Sequence, residues 1–183
     1  MKNFVTILAR VKKGDANAFR EMVNTFSKRL MAVAKMMAKN QQDAQDILQE
    51  SFISVFKKIH QFEGVNEHAF YAWMKKIVVN KSLALYKRKY YTHENRIELQ
   101  DHFSSEPTIY KEFEREEFMK NVYALPVQYR QVVCLYAIEG YSHSEVSEMM
   151  GISESTSRSN YSRAKKKLSK IMNTPDNLFY KVN

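Results

Sequence analysis

A single cysteine in 183 residues, Cys134, rules out an internal disulfide and any zinc site built on several thiolates. Its neighbours Val132, Val133, Leu135 and Ile138 are apolar, so it reads as a core thiol. The five histidines, His60, His68, His93, His102 and His143, are scattered and never fall at the His-x-x-x-His spacing of a helical metal site. There is no glycine-rich phosphate loop and no nucleophile elbow. The reading is therefore a non-enzyme with no catalytic residue, metal or cofactor. Helix breakers are scarce too, with 4 Gly and 3 Pro, and strand-like alternation is rare, which favours an all-α fold. No apolar run reaches the roughly 18 residues of a membrane span. The first residues, MKNFVTILARVKKGD, carry a short apolar stretch but no small-residue cleavage site. A cytoplasmic protein without membrane insertion is expected. The chain has no internal repeat and no low-complexity tract.

What is present is enough apolar and aromatic content, 44% and 13%, to build real cores. There is also a net charge of +9, which calls for a polyanionic partner, most simply nucleic acid. Residues 1–91 hold 17 Lys and Arg against 7 Asp and Glu, residues 92–120 hold 4 against 8, and residues 121–183 hold 8 against 5. Two basic blocks thus flank an acidic connector, and the expected division is 1–91, 92–120, 121–173 and a tail at 174–183.

The first block reads as four helices. One runs from Phe4 to Lys12 and stops at Gly14. A second, capped by Asp15, runs from about Ala16 to Ala38 with Phe19, Met22, Val23, Phe26, Leu30, Val33 and Met37 inward. Asp43 opens a third, with Ala44, Ile47, Leu48, Phe52, Val55, Phe56 and Ile59 in a three–four repeat. A loop from Gln61 to Glu67 contains Gly64, and a fourth helix covers about His68 to Lys89. In the connector, Ser104, Ser105 and Pro107 interrupt any helix, and a lead-in helix is expected from Glu112 to Asn121. Beyond Pro126 come helices at Val127–Ile138, Ser142–Met150 and Glu154–Met172.

The segment from Tyr141 to Leu168 is the most telling. Ser142 can cap a helix whose Val146, Met149 and Met150 share one face. Gly151 allows the chain to stop and turn at positive φ, Ile152 plugs the turn, and the following helix carries Arg158, Arg163, Lys165, Lys166 and Lys167. That is the layout of a helix-turn-helix, whose second helix enters the major groove. Taken alone it equally fits two core helices with a solvated basic face.

Two further features bear on this. Asp43, Asp46, Gln49 and Glu50 lie off the apolar stripe of the third helix and give a basic block an acidic patch. Acids in a first turn complement the helix dipole, which accounts for Asp43 and Asp46 better than for Gln49 and Glu50 two turns in; a basic protein partner accounts for all four. The loop and fourth helix interleave Phe62, Phe70, Tyr71 and Trp73 with Lys75, Lys76, Asn80, Lys81 and Lys87. That mixture suits unstacked DNA, rings stacking on bases and cations holding phosphates. Phe70, Trp73, Ile77 and Leu85 share a face and read as core; Tyr71, Lys75 and Asn80 are the better candidates for exposure.

GDANAF (Gly14 to Phe19), DAQDILQESF (Asp43 to Phe52) and AFYAWMKKIVVN (Ala69 to Asn80) together resemble region 2 of the sigma-70 family, in its extracytoplasmic-function (ECF) group. LPVQYRQVVCLYAIEGYSHSEVSEMMGIS followed by TSRSNYSRAKKKL resembles region 4. The resemblance covers most of residues 10–172. It implies two small helical domains, a region 2 four-helix domain and a region 4 helix-turn-helix domain, joined by a linker. It implies a sigma factor that binds core RNA polymerase, directs it to promoter DNA and helps open it. On that basis Asp43, Asp46, Gln49 and Glu50 would meet the β′ clamp. The loop from Phe62 to His68, with Phe62 and Asn66, would capture a flipped base of the minus-ten element. Tyr71, Trp73, Lys76 and Asn80 would lie along the minus-ten DNA. Ser155, Arg158, Ser159, Ser162, Arg163 and Lys166 would face the minus-thirty-five element, and the stretch Val132–Ile138 would meet the β flap. An anti-sigma factor covering the polymerase-binding faces is a further partner implied by the family. The extra domain of larger sigma factors is missing, which implies the minimal two-domain form.

The chain departs from the family pattern at two places. Valine is usual where Ser157 stands, so serine forgoes roughly 1–2 kcal/mol of apolar burial unless its hydroxyl bonds a carbonyl one turn back. A base is usual where Asn160 stands, which removes at most one phosphate contact. A helix-turn-helix regulator with an N-terminal effector or dimerisation domain would explain Tyr141–Leu168 but neither the acidic third helix nor the aromatic–basic fourth.

Overall fold

The computed structural model describes residues 4–88 and 118–172. Every described element is helical. The chain forms two compact units, Met1–Thr92 and His93–Asn183. Most of the acidic connector, the first part of the expected lead-in helix, Lys89 and the tail lie outside the described residues.

In the first unit, α1 (Phe4–Lys12), α2 (Ala16–Met37), α3 (Gln41–Lys58) and α4 (Glu67–Tyr86) follow one another with short turns. Asp15 caps α2, its Oδ1 accepting from Asn17 N–H (2.9 Å) and Ala18 N–H (3.1 Å). The Arg10 guanidinium, 2.8 Å from Oδ2, ties the end of α1 to the same carboxylate. Helix α3 begins two residues earlier than expected. Asn40, not Asp43, is the cap, and its side chain accepts from Asp43 N–H at 2.8 Å. A 3-10 turn, Ile59–Gln61, leads out of α3, and Asn66 caps α4 by accepting from Ala69 N–H at 2.8 Å.

Helices α2, α3 and α4 pack on one another and α1 lies on α2. Phe26 and Phe70, both fully buried, meet edge to face near the centre of the cluster, and Phe4 lies on Phe70. Of the residues expected inward on α2, Met22, Phe26, Leu30 and Met37 are buried, with Phe19, Val23 and Val33 half-buried. On α3, Phe56 departs from the expected core: it is 47% exposed, its ring edge-on to Phe19.

In the second unit, a helical stretch at 118–123 leads into α5, which is α-helical over Val127–Val132 and π-helical over Val133–Ile138. Arg130 is buried, and its Nη1 donates to the carbonyls of Tyr123 (2.7 Å) and Leu125 (3.3 Å), so the guanidinium is satisfied by the turn it fastens. Helix α6 (His143–Met150) opens with a capping box: Ser142 Oγ accepts from Glu145 N–H, and the Glu145 carboxylate accepts from Ser142 N–H at 2.8 Å. It closes on Gly151 at φ 72°, a left-handed residue that strains any side chain. Helix α7 (Glu154–Met172) starts as Ser153 Oγ accepts from Thr156 N–H at 3.0 Å.

Candidate nucleic-acid interface

Helix α7 divides cleanly. At about 3.6 residues per turn, Ser155, Arg158, Ser159, Ser162, Arg163 and Lys166 share one side, and Ser157, Asn160, Ala164 and Leu168 share the opposite one. The second set is buried; the first is exposed except for Ser159, which is half-buried. Arg158 pairs with Glu154 one turn back, which holds its guanidinium along the exposed side. The exposed side is thus cationic and hydroxyl-rich, able to hold phosphates through Arg and Lys and to meet base edges through Ser and Arg.

Asn160 is only 5% exposed and belongs to the packed side, so no phosphate contact is lost by its lacking a charge. Ser157 is fully buried as expected, but its hydroxyl does not serve a carbonyl one turn back: it lies 2.9 Å from Nδ1 of His143, the first residue of α6. The His143 ring is itself buried and stacks on Tyr136 at 3.9 Å, with Tyr161 of α7 against both. A polar bond between the two helices of the turn thus stands where a bond within α7 was expected. Burial raises the affinity of the Tyr161 hydroxyl for its proton, with Tyr136 adding to the effect. In α5, Val132, Val133, Cys134 and Leu135 are buried. Within the stretch expected to face outward, Ile138 alone is more than half exposed, so Val132–Leu135 cannot supply a docking surface.

On α4 the exposed positions His68, Ala72, Lys76, Asn80 and Ala84 recur every fourth residue, a shallow stripe of small and polar side chains. Phe62 and Trp73, expected to meet DNA, turn inward. Phe62 is 5% exposed, and its ring contacts Phe70 (4.9 Å) and Trp73 (5.5 Å). Trp73 is half-buried, also 5.6 Å from Phe70. Tyr71 is half-buried as well, with Arg29 of α2 3.8 Å over its ring and Lys75 Nζ 5.9 Å away. Its face is covered by a cation and is not an open stacking platform. Between Phe62 and Asn66 the loop exposes Glu63 and Val65, the latter 75% exposed.

The acidic patch of α3 is smaller than its sequence suggests. Gln49 and Glu50 are exposed and Asp46 half-exposed, with Gln42 Nε2 donating to Asp46 Oδ1 at 3.3 Å. Asp43 is 2% exposed and sits on the buried side with Ala44, Ile47 and Ser51. Glu50 reaches Lys81 of α4 at 3.3 Å, a bond between the acidic helix and the striped one. Sequence reasoning missed Arg29, Lys81 and His143 as partners of singled-out residues. None carries a local signal, because each partner lies on another helix. Among the described residues no group of His, Cys, Asp and Glu could hold a metal ion, and no helix is long and apolar enough to cross a membrane.

Comparison with known proteins agrees with this geometry. Residues 22–90 match the model of sigma-70 region 2, and residues 117–168 match that of sigma-70, region 4. The chain is 27% identical over 179 residues to the ECF RNA polymerase sigma-E factor of Haemophilus influenzae, covering 87% of this chain and 89% of that one. It is 26% identical over 180 residues to the RNA polymerase sigma-H factor of Pseudomonas aeruginosa, covering 91% and 92%. Among solved structures, the sigma factor RpoE in complex with the anti-sigma factor NepR from Bartonella quintana shares the fold. Its TM-score is 0.53 at 21% identity, over 85% of this chain and 96% of that one. The two helical units, in this order and with these matches, make the chain a member of the sigma-70 family, in its extracytoplasmic-function group.

Proposed function

We propose that this sigma factor directs core RNA polymerase to its promoters by gripping them at two places. Residues 1–91 serve polymerase and the minus-ten element, 121–173 serve the minus-thirty-five element, and 92–120 link them ahead of a tail at 174–183. The observation that carries the reading is the two-sided α7: six of the residues expected on DNA share one side, opposite the four that build the core. In the first unit the exposed stripe through Lys76 and Asn80 and the loop that exposes Glu63 and Val65 are the minus-ten surfaces. Phe62, Trp73 and Tyr71 act behind them as the wall that supports the stripe. Asp46, Gln49 and Glu50 dock on the β′ clamp, with Asp43 as a structural member of α3. On α5 the contact with the β flap falls to Ile138, which is 52% exposed. An anti-sigma factor that covers these faces would hold the protein inactive. The work is done in the cytoplasm, and the chain supplies binding rather than bond chemistry; capture of an unpaired base favours the open promoter by mass action.

The test is reconstitution with core polymerase. The Lys81–Glu50 pair is exposed on both sides and contributes at most about 0.5–1 kcal/mol, so reversing charge there leaves the fold intact. The Asp46→Lys, Glu50→Lys double variant should therefore keep its thermal stability to within that amount while losing most of its affinity for polymerase. Full retention of polymerase binding would exclude this surface.

A further inference from the structure

The Phe62–Asn66 loop is fixed from a direction its own sequence does not reveal. Lys12, the last residue of α1, stretches across to it, and its Nζ donates to the Phe62 carbonyl at 2.7 Å. Lys12 is half-buried, and the bond is charge-assisted, stronger than a neutral one. On the other side of the peptide the Phe62 ring is locked against Phe70 and Trp73. Gly64 then folds directly over that ring: a Cβ at position 64 would lie 2.4 Å from Phe62 Cζ. The ring cannot give way, since it is 5% exposed. At the far end Asn66 Oδ1 is committed to the α4 N-terminus. These fastenings surround a tip whose Glu63 and Val65 are open to solvent.

We propose that Lys12 is a positioning residue for promoter opening: through the Phe62 carbonyl it holds the loop in the shape that receives an unpaired base. This rests on the reading of the loop as the base-capturing segment. Lys12 is spent on the carbonyl and acts on DNA only through the loop. A loop held in its bound shape loses less freedom when the base arrives, so its contribution falls on opening and not on the first encounter with duplex DNA.

Holoenzyme reconstituted from core polymerase and the full chain separates these steps on a promoter located by start-site mapping. Permanganate reactivity of minus-ten thymines reads opening, retention of duplex promoter in the cold reads the closed complex, and melting of the free chain reads the fold. Lys12→Met keeps the apolar stem and removes the donor; Gly64→Ala forces the tip away from the fixed Phe62 ring by an independent route. Lys12→Met is expected to lower opening about tenfold, the worth of one charge-assisted bond, and Gly64→Ala to lower it through the tip, both with closed complexes unchanged. Lys12→Arg, which retains a donor, should recover most of the activity. The assignment is overturned if Lys12→Met opens the promoter like the wild type, or if opening, closed complexes and melting temperature fall together. A wild-type chain that opens no promoter with core polymerase would strike the base-capture reading itself, and the Lys12 assignment with it.

Discussion

Ser157 places a hydroxyl on the packed side of α7. A hydroxyl in a packed helix interface forgoes apolar contact, yet this one lies 2.9 Å from His143 Nδ1 in a buried setting walled by Tyr136 and Tyr161. Replacing it by valine gains roughly 1–2 kcal/mol of burial and removes a buried hydrogen bond whose loss costs about 1–3 kcal/mol. The second term wins as long as the imidazole remains. Ser157→Val is therefore expected to destabilise the wild type by on the order of 1 kcal/mol and to stabilise a His143→Phe background. Denaturant melts of the four proteins give the coupling directly, and strictly additive effects would contradict the bond. Asp43 and Asn160 carry the same lesson. Both stand four residues before a buried neighbour, Asp43 before Ile47 and Asn160 before Ala164. The spacing is legible in the sequence, but polarity argues for exposure. Polar side chains reach the interior when a helix start or a neighbouring helix satisfies them, and a single helix cannot display that.

The elements themselves were largely legible. The ends of α1 and α7, the Ser142 cap and the Gly151 stop follow from local rules of capping and positive φ, and each is found where those rules put it. The bonds between elements were not legible, because Lys12 to Phe62, Glu50 to Lys81 and Arg29 over Tyr71 each join residues at least 31 positions apart. At this scale the capping box of α6 makes a pH prediction. The Ser142 N–H, and then its hydroxyl, hold the Glu145 carboxyl below the usual glutamate range. A depressed folded value means that the stability is fully present above the ordinary glutamate range. It is lost as pH falls through the lowered value. Asp15, held down first by the Ala18 N–H and then by Arg10, acts with the same sign at the head of α2. Glu145→Gln should flatten the acid limb of the melting curve between about pH 5 and pH 3, and a limb as steep as the wild type's would count against the box. The recognition helix supplies a second prediction. Arg163 is exposed and remote from the packed side, so Arg163→Ala should leave melting within about 0.5 kcal/mol. It should cost a minus-thirty-five promoter roughly tenfold more affinity than bulk DNA, measured by competition at fixed salt. Equal losses on both would argue for phosphate contact alone.

For the whole molecule, the essential fact is that two units, each with a basic surface, are carried on one chain. Alone, a few lysines and arginines hold DNA loosely and lose it quickly as salt rises. Joined, and with polymerase bound by the first unit as proposed, the second contact becomes intramolecular and gains effective concentration without any new bond. The charge pattern of the sequence, basic at 1–91, acidic at 92–120 and basic again, is the pattern that the proposed division of labour needs. The most direct measurement is start-site mapping of transcripts made by core polymerase on genomic DNA, with and without the full chain. The account predicts new starts preceded by two shared sequence elements, near minus ten and minus thirty-five, at constant spacing. Starts identical to those of core polymerase alone, or new starts sharing only one element, would contradict it.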